Sequence, residues 1–233
     1  MSWLHRILGR DGTTQLGVES THFAAKVAGR PMHLGSRGAY CWAGVSGVVA
    51  AGLAGNSEIF QARWIDATRK MILRSLRFSA GRGTTAFTAG SFSITGTVAR
   101  TWTVDGSGGT AIVFSTNNTN KKRADFVFSL FSDTGVRIAS TAALGVGTKT
   151  FDTNPFAAIT SFVSSAATTA ADNPMVAPGT SLWERSTHEE YPFLLEQNEG
   201  LVIRATVPAT GTWQFTVQME WDEIDPAEVE GWT

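Results

Sequence analysis

"ATVPATGTWQFTVQMEWDEI", from Ala205 to Ile224, is the stretch on which the fold turns. Trp213, Phe215, Val217, Met219 and Trp221 take every second position, and Thr212, Gln214, Thr216, Gln218 and Glu220 fall between them. A period of two belongs to a β-strand with one face in a core and the other toward solvent. Glu199 to Val207 and Thr212 to Asp222 are therefore expected to pair as a terminal hairpin around "PATG".

Strand-like runs extend outward from this pair. Ile59, Phe60, Ala62 and Trp64 lead into Asp66, and Met71, Leu73, Leu76 and Phe78 supply the apolar positions of "RKMILRSLRFSAG". Arg74 and Arg77 break strict alternation there, which predicts a β-bulge. "TTAFTAGSFSITGTVARTWTV", "TAIVFST", "ADFVFSLFSD" and "VRIASTAALGVGTKTFD" continue the series, with turns rich in Gly, Asn and Asp roughly every ten residues, the spacing of a sandwich or barrel. Gly44 to Gly55 fits a loop or an irregular strand equally. "PFAAITSFVSSAATTAAD" is rich in alanine and reads as a short helix. Residues 172–192 contain Pro174, Pro178 and Pro192 and read as a long connection. The whole predicts an all-β chain, a jelly-roll-like antiparallel β-sandwich over residues 39–233. It is preceded by an extended N-terminal arm over residues 1–38, where "GRDGTTQLG" and "AGRPMHLGSRG" are turn-rich. Trp3, Leu4, Ile7 and Leu8 share one side of a helical turn too short to be stable alone, so they need something to dock against.

With 233 residues, 42% apolar, 8 Trp and 14 Phe, the chain can build a core without metals or disulfides. Charged residues make up 17%, against roughly 25% in an average domain. Low charge with many small residues suits surfaces that partners cover. A formal net charge of −1 provides no footprint for nucleic acid, and the basic "NKKR" at Asn120 to Arg123 reads as a turn. Cys41 is the only cysteine, which rules out an intrachain disulfide and is read as a small buried residue. No window approaches the ~18 apolar residues of a membrane helix. The apolar run at the N-terminus is too short for a signal peptide, so synthesis in a cytoplasm is expected.

The search for chemistry yields no catalytic, cofactor-binding or metal-ligating set. His5, His22, His33 and His188 are scattered without the spacing that puts two imidazoles on one metal. "HEEY" at His188 to Tyr191 reads as a solvated loop. "GVSGV" at Gly44 to Val48 lacks the second glycine of a nucleophile elbow. "GRGTT" at Gly81 to Thr85 has no phosphate-binding lysine, and "DGSGG" at Asp105 to Gly109 lacks the acidic series of a calcium loop. A sandwich rich in aromatics can also bind carbohydrate through exposed rings. Trp213 and Trp221 share the face of Phe215 and Met219 and read as core, whereas Trp3, Trp42, Trp183 and Trp232 lie outside regular periodicity and are free to be exposed.

At "AAGLAGNSEIFQARWIDATRKMILRSLRFSA" and "LLEQNEGLVIRATVPATGTWQFTVQMEWDEI" the chain resembles a family of uncharacterised proteins of tailed bacteriophages and prophages, regarded as virion structural components. The resemblance runs in loose outline from Leu16 to Glu223. It implies a non-enzymatic structural protein of the virion, with no cofactor and no catalytic residues to carry over. The expectation is a capsid decoration, or cement, protein whose partners are its own copies, as a homotrimer, and the major capsid protein, with neither nucleic acid nor membrane. Three copies engaging equivalent sites gain roughly 100-fold to 10,000-fold in avidity. Trp3, Leu4, Ile7 and Leu8 are the expected anchors. A tail or fibre-attachment component and a carbohydrate-binding module are the alternatives.

Overall fold

The computed structural model describes residues 37–50, 53, 55–116, 120–164, 175–185 and 193–225, with backbone alone at 175–178. The strands are β1 (Gly38–Val45), β2 (Val49–Ala50), β3 (Ser57–Trp64), β4 (Lys70–Arg82), β5 (Gly90–Val104), β6 (Thr110–Ala111), β7 (Phe131–Ile138), β8 (Thr148–Phe151), β9 (Ala157–Val163), β10 (Met175–Glu184), β11 (Phe193–Leu195), β12 (Glu199–Thr206) and β13 (Thr212–Ile224). They form two antiparallel sheets packed as a sandwich. One sheet runs β1-β13-β4-β10, with β2 on the β1 side of β13 and β11 beside β4. The other runs β6-β7-β3-β12-β5-β8, with β9 also on β5.

β13 behaves as its alternation predicts. Trp213, Phe215, Val217, Met219 and Trp221 are fully buried, while Gln214 and Gln218 are exposed. The ring of Trp213 lies 5.6 Å from that of Phe92 on β5, and the ring of Trp221 lies 5.3 Å from that of Phe131 on β7. Aromatic side chains of the two sheets thus meet across the core, where large buried area and offset or edge-on ring geometry both contribute. The predicted bulge is present. β13 pairs Glu220 with Ser75 and Trp221 with Leu73, leaving Arg74 as the extra residue of β4.

The expected terminal hairpin is not formed. β12 lies between β3 and β5 in one sheet, and β13 lies between β1 and β4 in the other. Leu201, Ile203 and Ala205 face the core from one side and Trp213, Phe215 and Val217 from the other. Apolar alternation fixes which face of a strand is buried, and two strands meet that demand equally by pairing or by opposing one another across a core. Val207 to Gly211 therefore bridges the sheets, a gap of roughly 10 Å. Gly211 takes φ +84°, and a Cβ there would stand 2.7 Å from the carbonyl of Ala86.

Four further expectations are corrected. The expected helix is in part β9, because Ile159, Phe162 and Val163 suit a pleated surface and β5 offers a full edge from Gly90 to Gly96; residues 165–174 lie outside the described set. The expected connection contains β10 and β11, which share the edge of β4, and the register of β10 slips across Pro178 and Gly179 as an edge strand permits. In "ADFVFSLFSD" the strand begins only at Phe131, and "TAIVFST" contributes just Thr110 and Ala111. Cys41 is exposed, since it opposes Glu220 on the solvent side of β1. The stretch Gly44 to Gly55 resolves as the end of β1 followed by the short β2, the rest of it being irregular or undescribed.

Candidate functional site

Trp3, Leu4, Ile7 and Leu8 lie outside the described residues, as do His5, His22, His33, His188 and the "HEEY" segment. Ser46 is a structural residue. Its hydroxyl donates to the carbonyl of Gly47 at 2.7 Å and accepts from the Phe215 amide at 2.9 Å. "NKKR" leads into the turn at Ala124–Asp125, with Lys122 paired to Glu220 and Arg123 to Asp125, each at 2.6 Å. Trp42 and Trp183 are half-buried, stacked on Phe60 at 5.6 Å and edge-on to Phe193 at 5.5 Å respectively. Among the described residues no three His, Cys, Asp or Glu side chains gather as they would around a metal ion.

The outer surface of the β1-β13-β4-β10 sheet carries an open cavity of about 540 Å³, lined by Cys41, Trp42, Arg74, Arg77, Glu184 and Glu220 among others. Its charges are matched in place. Arg77 pairs with Glu184 and Arg74 with Asp222, both at 3.0 Å.

The opposite outer surface holds the most deeply buried ionisable pair among the described residues. Glu58 and Gln61 stand three apart on β3, a spacing that in a regular strand points two side chains to opposite faces. β12 pairs Ile203 with Phe60 and Arg204 with Glu58, so Ile59 is an extra residue of β3. The bulge turns Ile59 and Phe60 both into the core and brings Glu58 back to the face of Gln61. A second irregularity acts on β5, where Thr101 takes φ +46° and the register with β8 slips between Arg100 and Val104. Beyond it Trp102 comes to rest on the outer face, fully buried among Ala99, Val202 and Phe151. Its ring lies so flat on Gly200 that a Cβ there would come within 2.6 Å of it.

Lys149, on β8, enters this satellite core from above. The Lys149 side chain is wholly buried and Glu58 is 3% exposed; Nζ stands 2.7 Å from Glu58 Oε2 and 4.3 Å above the Trp102 ring. Lys149 also donates to the carbonyl of Val146. Gln61 Nε2 donates to the same Glu58 Oε2 and, at 3.0 Å, to the carbonyl of Gly145. Gln61 Oε1 is buried without a hydrogen-bond partner. Two loops close the top, Asp105–Gly109 and Ala143–Gly147, joined by the Gly145 amide donating to the Ser107 carbonyl at 2.9 Å. Burial pushes the Lys149 ammonium below its usual range against the pull of Glu58, and burial raises the Glu58 carboxyl against the opposing effect of Lys149. Both groups are thus driven toward their neutral forms, the state in which an amine is a nucleophile and a carboxylic acid a proton donor.

Sequence reading missed this cluster. Lys149 stands between two threonines in a short strand, where a solvated lysine is the ordinary reading, and Glu58 and Gln61 have the wrong spacing for a shared face. Only the bulge at Ile59 and the kink at Thr101 bring the three together. No family model, no curated protein and no solved structure matches the chain.

Proposed function

We propose that this chain is a structural protein of a tailed-phage virion, acting as a capsid decoration protein that binds the head shell as an oligomer. The observation that carries the reading is the strand order. With β6 and β7 set aside as an inserted pair, the order β1-β13-β4-β10/β11 facing β3-β12-β5-β8/β9 supports a jelly-roll reading of the sandwich, an architecture used by viral capsid proteins and also by lectins and cupins. The low charge of the chain and its resemblance to virion components favour the first of these. Fold alone does not fix function, and the sequence resemblance therefore carries part of the weight.

The oligomer has a suitable surface in β9. This seven-residue strand pairs with β5 on one side and has no strand partner on the other among the described residues. It contains no charge and no proline, the features that ordinarily guard an edge, and Phe162 at its end is 72% exposed. A second copy adding its own strand would cover both backbone and ring.

Immunogold labelling of intact particles of the encoding phage tests the proposal. Label spread over the head is the expected result. Label confined to a vertex or the tail replaces the cement role with fibre attachment, and particles without label overturn the virion assignment.

A further inference from the structure

We propose that Lys149 and Gln61 join in a self-formed isopeptide bond between Nζ and Cδ, with Glu58 relaying the protons, so that β8 is stapled covalently to β3. The two nitrogens concerned already meet on one atom, Glu58 Oε2. Around them the site is dry and enclosed: Gln61 and Trp102 are fully buried, and the Lys149 side chain is inaccessible. The amide of Gln61 is held from two sides. Its Nε2 is fixed by Glu58 and the Gly145 carbonyl, and a side chain at Gly106 would press on Cδ at 2.8 Å. Its Oε1 has no donor, so the oxygen that gains negative charge upon attack awaits a proton.

The step balances without a co-reactant. The lone pair of neutral Lys149 Nζ attacks Gln61 Cδ, and the carbonyl electrons move to Oε1, which takes the proton of the Glu58 carboxylic acid. Glu58 then accepts a proton from Nζ. As the carbonyl re-forms, the Cδ–Nε2 bond breaks, the nitrogen leaves with a proton from the acid as ammonia, and the Oε1 hydroxyl returns its proton to the Glu58 carboxylate. One C–N bond replaces another, nothing is oxidised or reduced, and Glu58 ends as it began. Burial shifts the amine and the acid toward their neutral forms, and the rings of Trp102 and Phe151, 4.3 and 5.5 Å from Nζ, cover the amine from water while favouring its charged form in return. β3 and β8 are separated in their sheet by β12 and β5, so the bond would bridge strands that share no ladder.

Intact-mass spectrometry of the denatured full chain, followed by proteolysis and fragmentation, tests the bond directly. The expected result is a chain lighter than its sequence by one ammonia and a branched peptide linking the Gln61 and Lys149 fragments. Lys149→Arg and Glu58→Gln should each restore the full mass, and Gln61→Glu should yield the same branched peptide with loss of water in place of ammonia. A wild-type chain of full mass with no branched peptide overturns the proposal, as does an ammonia loss that persists in Lys149→Arg. Because the branched peptide is sought in the wild-type protein, the test holds even where a variant fails to fold.

Discussion

Asp222 lies on the solvent side of β13 by the parity of the strand, yet it is only 3% exposed and is paired with Arg74, the bulge residue of β4. Burial raises its carboxyl from 3.8 to about 6, against the pull of Arg74 and Lys122 and with a small contribution from Glu220. The sign for stability follows. Between about pH 4 and 6 the unfolded chain ionises this group before the folded chain does, so stability is greatest below that window and falls as pH rises through it. The drop is on the order of 3 kcal/mol if the shift is fully expressed. Glu223, fully buried and also raised chiefly by burial, acts in the same direction. Urea unfolding followed by tryptophan fluorescence at pH 4.5 and 7 should show the loss, and Asp222→Asn should flatten it; an unchanged slope in that variant would mean that other groups carry it. Glu223 itself takes the inward parity of Trp221, where a charge has no solvent. Ser129 Oγ at 2.5 Å, the Leu130 amide at 3.0 Å and Arg37 at 3.1 Å meet its two oxygens instead. On the same face Trp213 touches Phe87 and Phe92 and is fully buried. Trp213→Ala should cost about 3–5 kcal/mol in the same assay.

Between elements, the connection Val207–Gly211 separates two readings of the same alternating strands. A hairpin would survive its replacement by a two-residue Asn-Gly turn, which favours tight antiparallel pairing. A chain that crosses between sheets would not survive, because two residues reach only about 10–11 Å between strand ends when fully extended, which leaves no length to turn out of one sheet and into the other across the roughly 10 Å of a sandwich core. The shortened chain should therefore fail to fold, read as loss of cooperative thermal unfolding; a native-like transition would contradict the crossing. β9 makes the complementary case, since its sequence suits an edge that pairs with a copy of itself. Phe162→Lys places a charge on that edge and should leave the melting temperature nearly unchanged while shifting the proposed oligomer toward monomer in analytical ultracentrifugation. The alternation of β13 and the bulge at Arg74 were legible in sequence because both are local: parity and a broken parity. The partners of β12 and β13 were not, because burial of a face says nothing of which strand lies beside it. The strand character of β9 was hidden by alanine, whose high intrinsic helix propensity still yields to tertiary context such as an available sheet edge. The Lys149–Glu58–Gln61 cluster was hidden twice, by a bulge that restores a face which strict alternation assigns to the other side and by a kink that carries Trp102 over it.

At the scale of the molecule, the described core assembles from Gly38 onward, with the Arg37 amide and guanidinium tying the start of β1 to Glu223. Two sheets that face each other over fully buried rings supply their own stability, and under the proposed function the stretch before residue 38 has a different task, docking on a shell. The apolar residues of that stretch, Trp3, Leu4, Ile7 and Leu8, do not belong to the period of any strand, and single weak contacts multiply when an oligomer engages several sites together. Removal of residues 1–15 should therefore separate folding from attachment. The shortened protein should keep its far-ultraviolet circular dichroism and its thermal transition, and should no longer co-sediment with capsids stripped of the protein. Retained co-sedimentation would move attachment from these anchors to the sandwich, where β9 is the first edge to mutate; loss of the thermal transition would make the N-terminal stretch part of the folding unit.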